Sequence, residues 1–242
     1  MRLAVFSDVH ANLEALETIL ATEAFRLADR VVCLGDVIGY GADPSACLAL
    51  SRAKAERILL GNHESAIAHP EELAYFNGYA RQAIEWTRDH LTDEERDYIT
   101  QLPLVHREPP DFQFVHSAPT EPQSWEYIFD LAGAQREIVS VDETLCFVGH
   151  SHVPLAVEKG ESGPGRLVEF PFPVREGMRY LVNVGSVGQP RDSDPRAAFV
   201  TYDSDARVVT LERVEYPIAR AQEKILAAGL PAFLAARLAK GR

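Results

Sequence analysis

Cysteine is scarce, with 3 in 242 residues, and no two of them have the spacing of a zinc site. Cys33 and Cys146 lie inside apolar runs, residues 31–34 and 145–148, which reads as buried free thiols and not as a disulfide. Cys47 is too close to Arg52 to form the phosphate cradle of a cysteine phosphatase. Long apolar runs are missing too. The opening Leu3-Ala4-Val5-Phe6 gives way at once to Ser7 and Asp8, too short for a signal-peptide core or a membrane span. A soluble, cytoplasmic protein with no membrane partner is the expectation. Cationic side chains are also in deficit: 24 Lys and Arg stand against 36 Asp and Glu, a formal net charge of -12. Such a chain is not expected to bind nucleic acid non-specifically. Any anionic substrate needs a local reversal of the field, which bound divalent metals would supply.

Several nucleotide and hydrolase signatures are absent. Gly185-Ser186-Val187-Gly188 has the wrong spacing for a dinucleotide fingerprint, and no strand–helix unit surrounds it. There is no phosphate loop ending in Gly-Lys-Ser/Thr and no Gly-x-Ser-x-Gly nucleophile elbow. His63-Glu64-Ser65-Ala66-Ile67 lacks the second histidine of a zinc protease.

What is present is ordinary globular composition, 46% hydrophobic and 25% charged, in a chain long enough to bury a core without staples. No Pro- or Ser-rich linker divides it, so residues 1–242 are expected to form one α/β domain. Strands are expected at residues 2–7, 31–34, 56–60, 112–115 and 144–148. Helices are expected at 12–27, 44–51, 72–90 and near 130–139, with Thr92-Asp93-Glu94-Glu95 as a capping box opening another. Residues 153–216 turn strand-like, at 154–158, 166–170, 179–183, 197–203 and 207–215. The turn-rich stretch 160–177 carries Phe170 and Phe172, which read equally as a lid over the site or as core. The tail, 217–240, reads as two short helices broken at Gly229-Leu230-Pro231. Its Ile218, Ile225, Leu226, Phe233, Leu234 and Leu238 are expected to pack on the body rather than on a second copy. Nothing in the pattern specifies an oligomeric state.

Five apolar runs end in metal-binding side chains. They lead to Asp8 and His10, to Asp36, to Asn62 and His63, to His116, and to His150 and His152. In open α/β sheets the carboxyl ends of strands converge on the binding crevice. A lone Asp before a helix is ordinarily an N-cap, and a lone His a hydrogen-bonding loop residue. Yet of the 8 histidines only His69, His90 and His106 lie elsewhere, and these read as surface residues. In Asp8-x-His10 and His150-x-His152, an extended backbone would point both members the same way. Mixed imidazole and oxygen donors suit Mn, Fe, Zn, Ni or Co and not Ca.

Together, Asp8-x-His10, Gly35-Asp36, Gly61-Asn62-His63-Glu64, His116 and Gly149-His150-x-His152 resemble the full motif set of the calcineurin-like metallophosphoesterases. The stretch from Asn183 to Arg191 is similar to one in the small prokaryotic phosphodiesterase branch, which extends the resemblance over nearly the whole chain. The resemblance implies two facing mixed β-sheets flanked by helices, an α/β/β/α sandwich. It implies one metal held by Asp8, His10, Asp36 and His152, and a second held by Asp36, Asn62, His116 and His150, with Asp36 bridging. Two such ions about 3.5–4 Å apart lower the pKa of a shared water and clamp the oxygens of an in-line displacement. The substrate implied is a small-molecule phosphate ester. His63 resembles the family's catalytic histidine, donating a proton as imidazolium. Larger relatives read Gly-Asp-x-x-Asp-Arg-Gly where this chain has Gly39 and Tyr40 at the Asp and Arg positions. That weakens a protein-phosphatase reading and favours diesters over monoesters and dinucleoside polyphosphates. Tyr40 is expected to line the substrate. Arg191 either supplies the missing guanidinium or pairs with Asp192 or Asp194. A non-catalytic scaffold would be expected to lack metal ligands, and here all are present.

Overall fold

A computed structural model describes all of residues 1–242. The first part of the chain runs β1 (Arg2–Phe6), α1 (Leu13–Ala21), α2 (Glu23–Arg26), β2 (Arg30–Cys33), α3 (Pro44–Lys54), β3 (Arg57–Ile58), α4 (Asn62–Ala68), a 3-10 turn (Pro70–Tyr75), α5 (Gly78–His90) and α6 (Asp93–Ile99). It continues with β4 (Val105–Glu108), β5 (Phe112–Val115), α7 (Leu131–Glu137) and β6 (Leu145–Val148). The rest is β7 (Leu155–Lys159), β8 (Arg166–Leu167), β9 (Phe172–Pro173), β10 (Arg179–Asn183), β11 (Ala197–Asp203), β12 (Val208–Val214), α8 (Ile218–Ala227) and α9 (Ala232–Leu238).

These strands form two mixed six-stranded sheets, ordered β3-β2-β1-β11-β12-β9 and β4-β5-β6-β10-β7-β8. The apolar runs are continuous because both of their faces are buried. On β1, Leu3 and Val5 enter the core between the sheets, while Ala4 and Phe6 face the helices. On β6, Leu145 and Phe147 point between the sheets, and Cys146 and Val148 point outward with Ala134 and Ile138 of the α7 region. The result is four layers with helices on the outside of each sheet, as the resemblance implies. β1, β2 and β3 run parallel, as do β5, β6 and β10, so within each sheet the ligand-bearing ends share one edge.

Several expected boundaries shift for local reasons. The helix expected over 12–27 breaks at Thr22, whose hydroxyl caps α2 by accepting from the Phe25 N–H. The helix expected over 72–90 begins only at Gly78, after Asn77 caps it through the Tyr79 and Ala80 N–H groups. The strands expected at 56–60 and 166–170 shrink to two residues each, and β4 and β9 were not foreseen. The Thr92–Glu95 capping box forms as expected.

The lid is overturned. Phe172 is 4% exposed, stacks on Tyr180 with ring centroids 5.3 Å apart, and belongs to the core between the sheets. Its strand pairs with β12 at Val208 and Val209, at the end of the sheet where Arg2 begins β1 and opposite Asp8. The tail packs as expected through Ile225, Leu234 and Leu238, but Leu226 and Phe233 are exposed. Phe233 lies against Tyr79, with centroids 5.0 Å apart.

Candidate metal centre

Asp8, His10, Asp36, Asn62, His63, His116, His150 and His152 are all buried and all lie just past the ends of β1, β2, β3, β5 and β6. The expected reason for their convergence was wrong in detail. Asp8 and His10 are not in extended backbone. Asp8, His10, Asp36, His150 and His152 all have positive φ, between 50° and 65°. This left-handed conformation is strained for residues with a Cβ, and it folds each side chain back into the crevice. The turns are tight: a Cβ on Gly61 would lie 2.2 Å from Asp36 Oδ1, and one on Gly149 would lie 2.7 Å from Asp8 Oδ2.

Three sets of potential ligand atoms lie within 4.8 Å of one another: Asp8, His10 and His152; His10, Asp36 and His63; and Asp36, His116 and His150. Asp36 stands between them, with Oδ2 3.6 Å from His10 Nε2 and 3.4 Å from His116 Nε2. Four of the imidazoles are oriented by backbone carbonyls. Nδ1 donates to Ile38 O from His10 (3.2 Å), to Leu34 O from His116 (3.2 Å) and to Gln189 O from His152 (2.6 Å). His150 is turned the other way, with Nε2 2.8 Å from Trp125 O. Such outer contacts fix the tautomer and aim the free nitrogen.

The arrangement fits a cation. With both Nδ1 atoms donating, the Nε2 lone pairs of His10 and His152 face each other at 3.1 Å. Asp8 Oδ1 and Asn62 Oδ1 are buried without a hydrogen-bond partner. Lone pairs crowded in this way are costly unless a positive charge lies between them. Burial pushes His10 and His152 down, and His150 down to about 3, so these rings are neutral and ready to ligate. Burial opposes charging at His116 as well, but Asp36 and Asp8 outweigh it and raise His116 to about 9. At Asp8, burial is outweighed by His152 and His116, which hold the carboxyl below its usual range.

His63 is wedged against His10, Tyr40 and Phe76, with centroids 4.6, 4.5 and 5.4 Å away. Its Nδ1 has no partner, and a Cβ on Gly39 would lie 2.0 Å from it. The ring occupies the space an aspartate side chain at Gly39 would need. Burial outweighs the nearby Asp36 charge and lowers His63 to about 4. Tyr40 is 9% exposed, and the Arg191 guanidinium lies 5.9 Å over its ring. The alternative role for Arg191 fails, because Asp192 pairs with Arg213 and Asp194 with Arg196. Arg191 instead donates to Gln189 Oε1 at 2.9 Å, and its Nε is buried without a partner.

Sequence reasoning assigned no structural role to three contributors. Glu64 accepts from the Asp36, Val37, Ile38 and Gly61 N–H groups at 2.8–3.2 Å, tying the Asp36 loop to α4. Burial and the Asp36 charge push this carboxyl up to about 8. Its place three residues after Gly61 was the available signal, since Glu at that position commonly accepts from the N-cap N–H. Arg237 of α9 borders a cavity of about 540 Å³ with Tyr40. Residues 183–191 act as a clamp across the centre. Ser186 Oγ donates to Asp8 O at 2.8 Å, and Asn183 Nδ2 donates to Gly149 O at 2.7 Å.

A family model described as the calcineurin-like phosphoesterase superfamily domain matches residues 1–206. An uncharacterized protein of Methanocaldococcus jannaschii is 38% identical over 243 residues, covering 99% of this chain and 98% of that protein. The crystal structure of a metallophosphoesterase from Sphaerobacter thermophilus is 40% identical, covers 100% of both chains and superposes with a TM-score of 0.87. At 18% identity, a Pyrococcus horikoshii protein shares the fold with a TM-score of 0.81, covering 100% of this chain and 98% of its own. No helix is long and apolar enough to cross a membrane. With its Asp and His side chains clustered where they could hold metal, the chain belongs to the calcineurin-like phosphoesterase superfamily.

Proposed function

We propose that this protein hydrolyses small-molecule phosphate esters with two divalent transition-metal ions, manganese among the candidates, and that it prefers diesters. One observation carries the reading: the Asp36 carboxylate lies within 3.6 Å of His10 Nε2 and 3.4 Å of His116 Nε2. That is where a ligand shared by two ions belongs. Asp8, His10, Asp36 and His152 would hold one ion, and Asp36, Asn62, His116 and His150 the other. When bound, such ions supply Lewis acidity and lower the pKa of a water. In the reaction, a water oxygen replaces the ester oxygen on phosphorus. The bond from phosphorus to the leaving oxygen breaks, and that oxygen takes up a proton. His63, as imidazolium, gives a ring proton to the leaving oxygen and is left neutral. Tyr40 walls the second substituent and offers a hydroxyl but no charge. A diester, with one negative charge, needs less compensation than a monoester dianion.

A second reading, hydrolysis of monoesters or dinucleoside polyphosphates, draws support from the Arg191 guanidinium beside Tyr40, which supplies charge for a further anionic group. The assay uses protein stripped and reloaded with single metals. It compares kcat/KM for an aryl phosphate diester and its monoester at one pH. Diester preference is expected, and a tenfold preference for the monoester would install the second reading. Elemental analysis accompanies it: Asp36→Ala is expected to lose more metal than any other ligand variant, and retention of both ions refutes the bridging role.

A further inference from the structure

Beside Tyr40, Asn62 and His150 opens a cavity of about 520 Å³ whose other walls the hydrolytic reading leaves unused. Its walls are aromatic and come from two separate segments. Tyr75 and Phe76 end the 3-10 turn before α5, while Trp125 and Tyr127 lie in the loop after β5. Tyr75 is 90% exposed and has no stacking partner in the protein. Tyr127 is 47% exposed and stacks on His150, with centroids 4.0 Å apart and planes 19° apart. Phe129 continues that stack 5.1 Å from Tyr127, at 7°. The loop is anchored, since Trp125 O meets His150 Nε2 and Ser117 Oγ donates to Pro122 O at 2.7 Å.

A second feature has different chemistry. Glu72 lines the same cavity, and its Oε2 is buried without a hydrogen-bond partner. A buried acceptor left empty is costly and gains from a ligand that brings an N–H or O–H. Gln123 and Ser124 add further polar groups to the lining.

We propose that this cavity is a nucleoside subsite: it takes the base and sugar of a nucleoside phosphate ester whose phosphate lies at the metal centre. The proposal rests on the hydrolytic reading for the position of the phosphate. Flat aromatic walls suit a planar ring, because every base has a π-face to stack. The Glu72 acceptor suits the exocyclic amine of a base or a ribose hydroxyl. A lipid substituent would leave Glu72 unpaired, and a bare sugar phosphate would leave the aromatic walls unstacked. At about 520 Å³ the space is of the size that small-ligand sites commonly have.

Equilibrium binding tests this, on manganese-loaded protein titrated calorimetrically with AMP, with ribose 5-phosphate and with phosphotyrosine. AMP and ribose 5-phosphate share a pentose and a phosphate and differ in the base. AMP is expected to bind about tenfold or more tighter than either alternative. Tyr75→Ala, at a site exposed enough to leave the core untouched, is expected to cut the AMP advantage at least about threefold, and Glu72→Gln to narrow it as well. Equal affinity for AMP and ribose 5-phosphate overturns the subsite, and tighter binding of phosphotyrosine overturns the nucleoside assignment. The two readings fail separately. Protein that selects AMP but cleaves no ester loses the hydrolytic reading and keeps the subsite. Protein that cleaves aryl diesters but binds the two ligands equally loses the subsite alone.

Discussion

Single residues carry the chemistry here, and their neighbours decide what each one does. His63 shows this. Gly39 stands where larger relatives of this family place an aspartate, and the His63 ring occupies the space that side chain would need. The glycine was legible in the sequence as a departure from the motif. Its consequence, an imidazole Nδ1 with no partner, needed coordinates. His63 also lies in one of the clusters able to hold metal, so its role as a proton donor is open to a direct test. His63→Ala is expected to keep its full metal content and to lose turnover by about 10²–10⁴-fold. Metal loss in parallel with activity would make it a ligand instead. Arg191 is the complementary case. Two acidic neighbours in sequence offered a surface pairing, but both are taken by Arg213 and Arg196, and the guanidinium turns toward Tyr40.

At the level of elements, hydrophobic runs predicted the buried strands well, because a strand covered on both faces must be apolar throughout. Short edge strands were harder. β4, Val105–Glu108, has a single apolar residue followed by His106, Arg107 and Glu108, and β9 contains a proline. Such strands owe their existence to a partner already in place. β4 also carries an inter-sheet tie. Arg30, at the start of β2, donates from Nη1 and Nη2 to both oxygens of Glu108 at 2.8 and 2.7 Å. The Arg30 hydrogen bonds hold the Glu108 carboxyl down at about 2, against a usual 4.5. A depressed carboxyl contributes stability that is present above its unfolded value and disappears as pH falls toward its folded value. Glu108→Gln should therefore lower Tm at pH 7 by about 2–4 °C, equivalent to about 1 kcal/mol. The gap between wild type and variant should shrink steadily from pH 5 to pH 3. A gap that stays constant across that range would show that Arg30 does not act through the carboxylate charge.

Taken whole, the molecule concentrates unfavourable contacts at one edge of its two sheets. Left-handed Asp and His residues, facing imidazole lone pairs and unpartnered carboxylate and amide oxygens all meet there. Cations relieve these contacts only in the native state, so metal and stability are linked. Calorimetric melting of protein with manganese and with excess chelator should differ. At an ion concentration about 100-fold above the dissociation constant, the metal is expected to add about 2.7 kcal/mol, or about 5–10 °C in Tm. Identical melting curves would contradict a metal centre built from these residues.

The sequence by itself determined a sheet covered by helices, through its continuous apolar runs, and the family resemblance of its motif set added the second sheet. The sequence also determined which side chains cluster, because parallel strands bring their carboxyl ends to one edge whatever the details of the loops. Tertiary structure alone decided how they cluster. Convergence comes from left-handed turns past the strand ends and not from alternation along extended chain, and φ at a non-glycine residue leaves no trace in sequence. Only the fold placed Phe172 in the core at the far end from Asp8, since a turn-rich stretch with two phenylalanines satisfies a lid and a core equally until its strand finds β12. Only the fold joined Tyr75 and Tyr127 into one cavity beside His150, because residues far apart in the chain meet only through the packing of the elements between them.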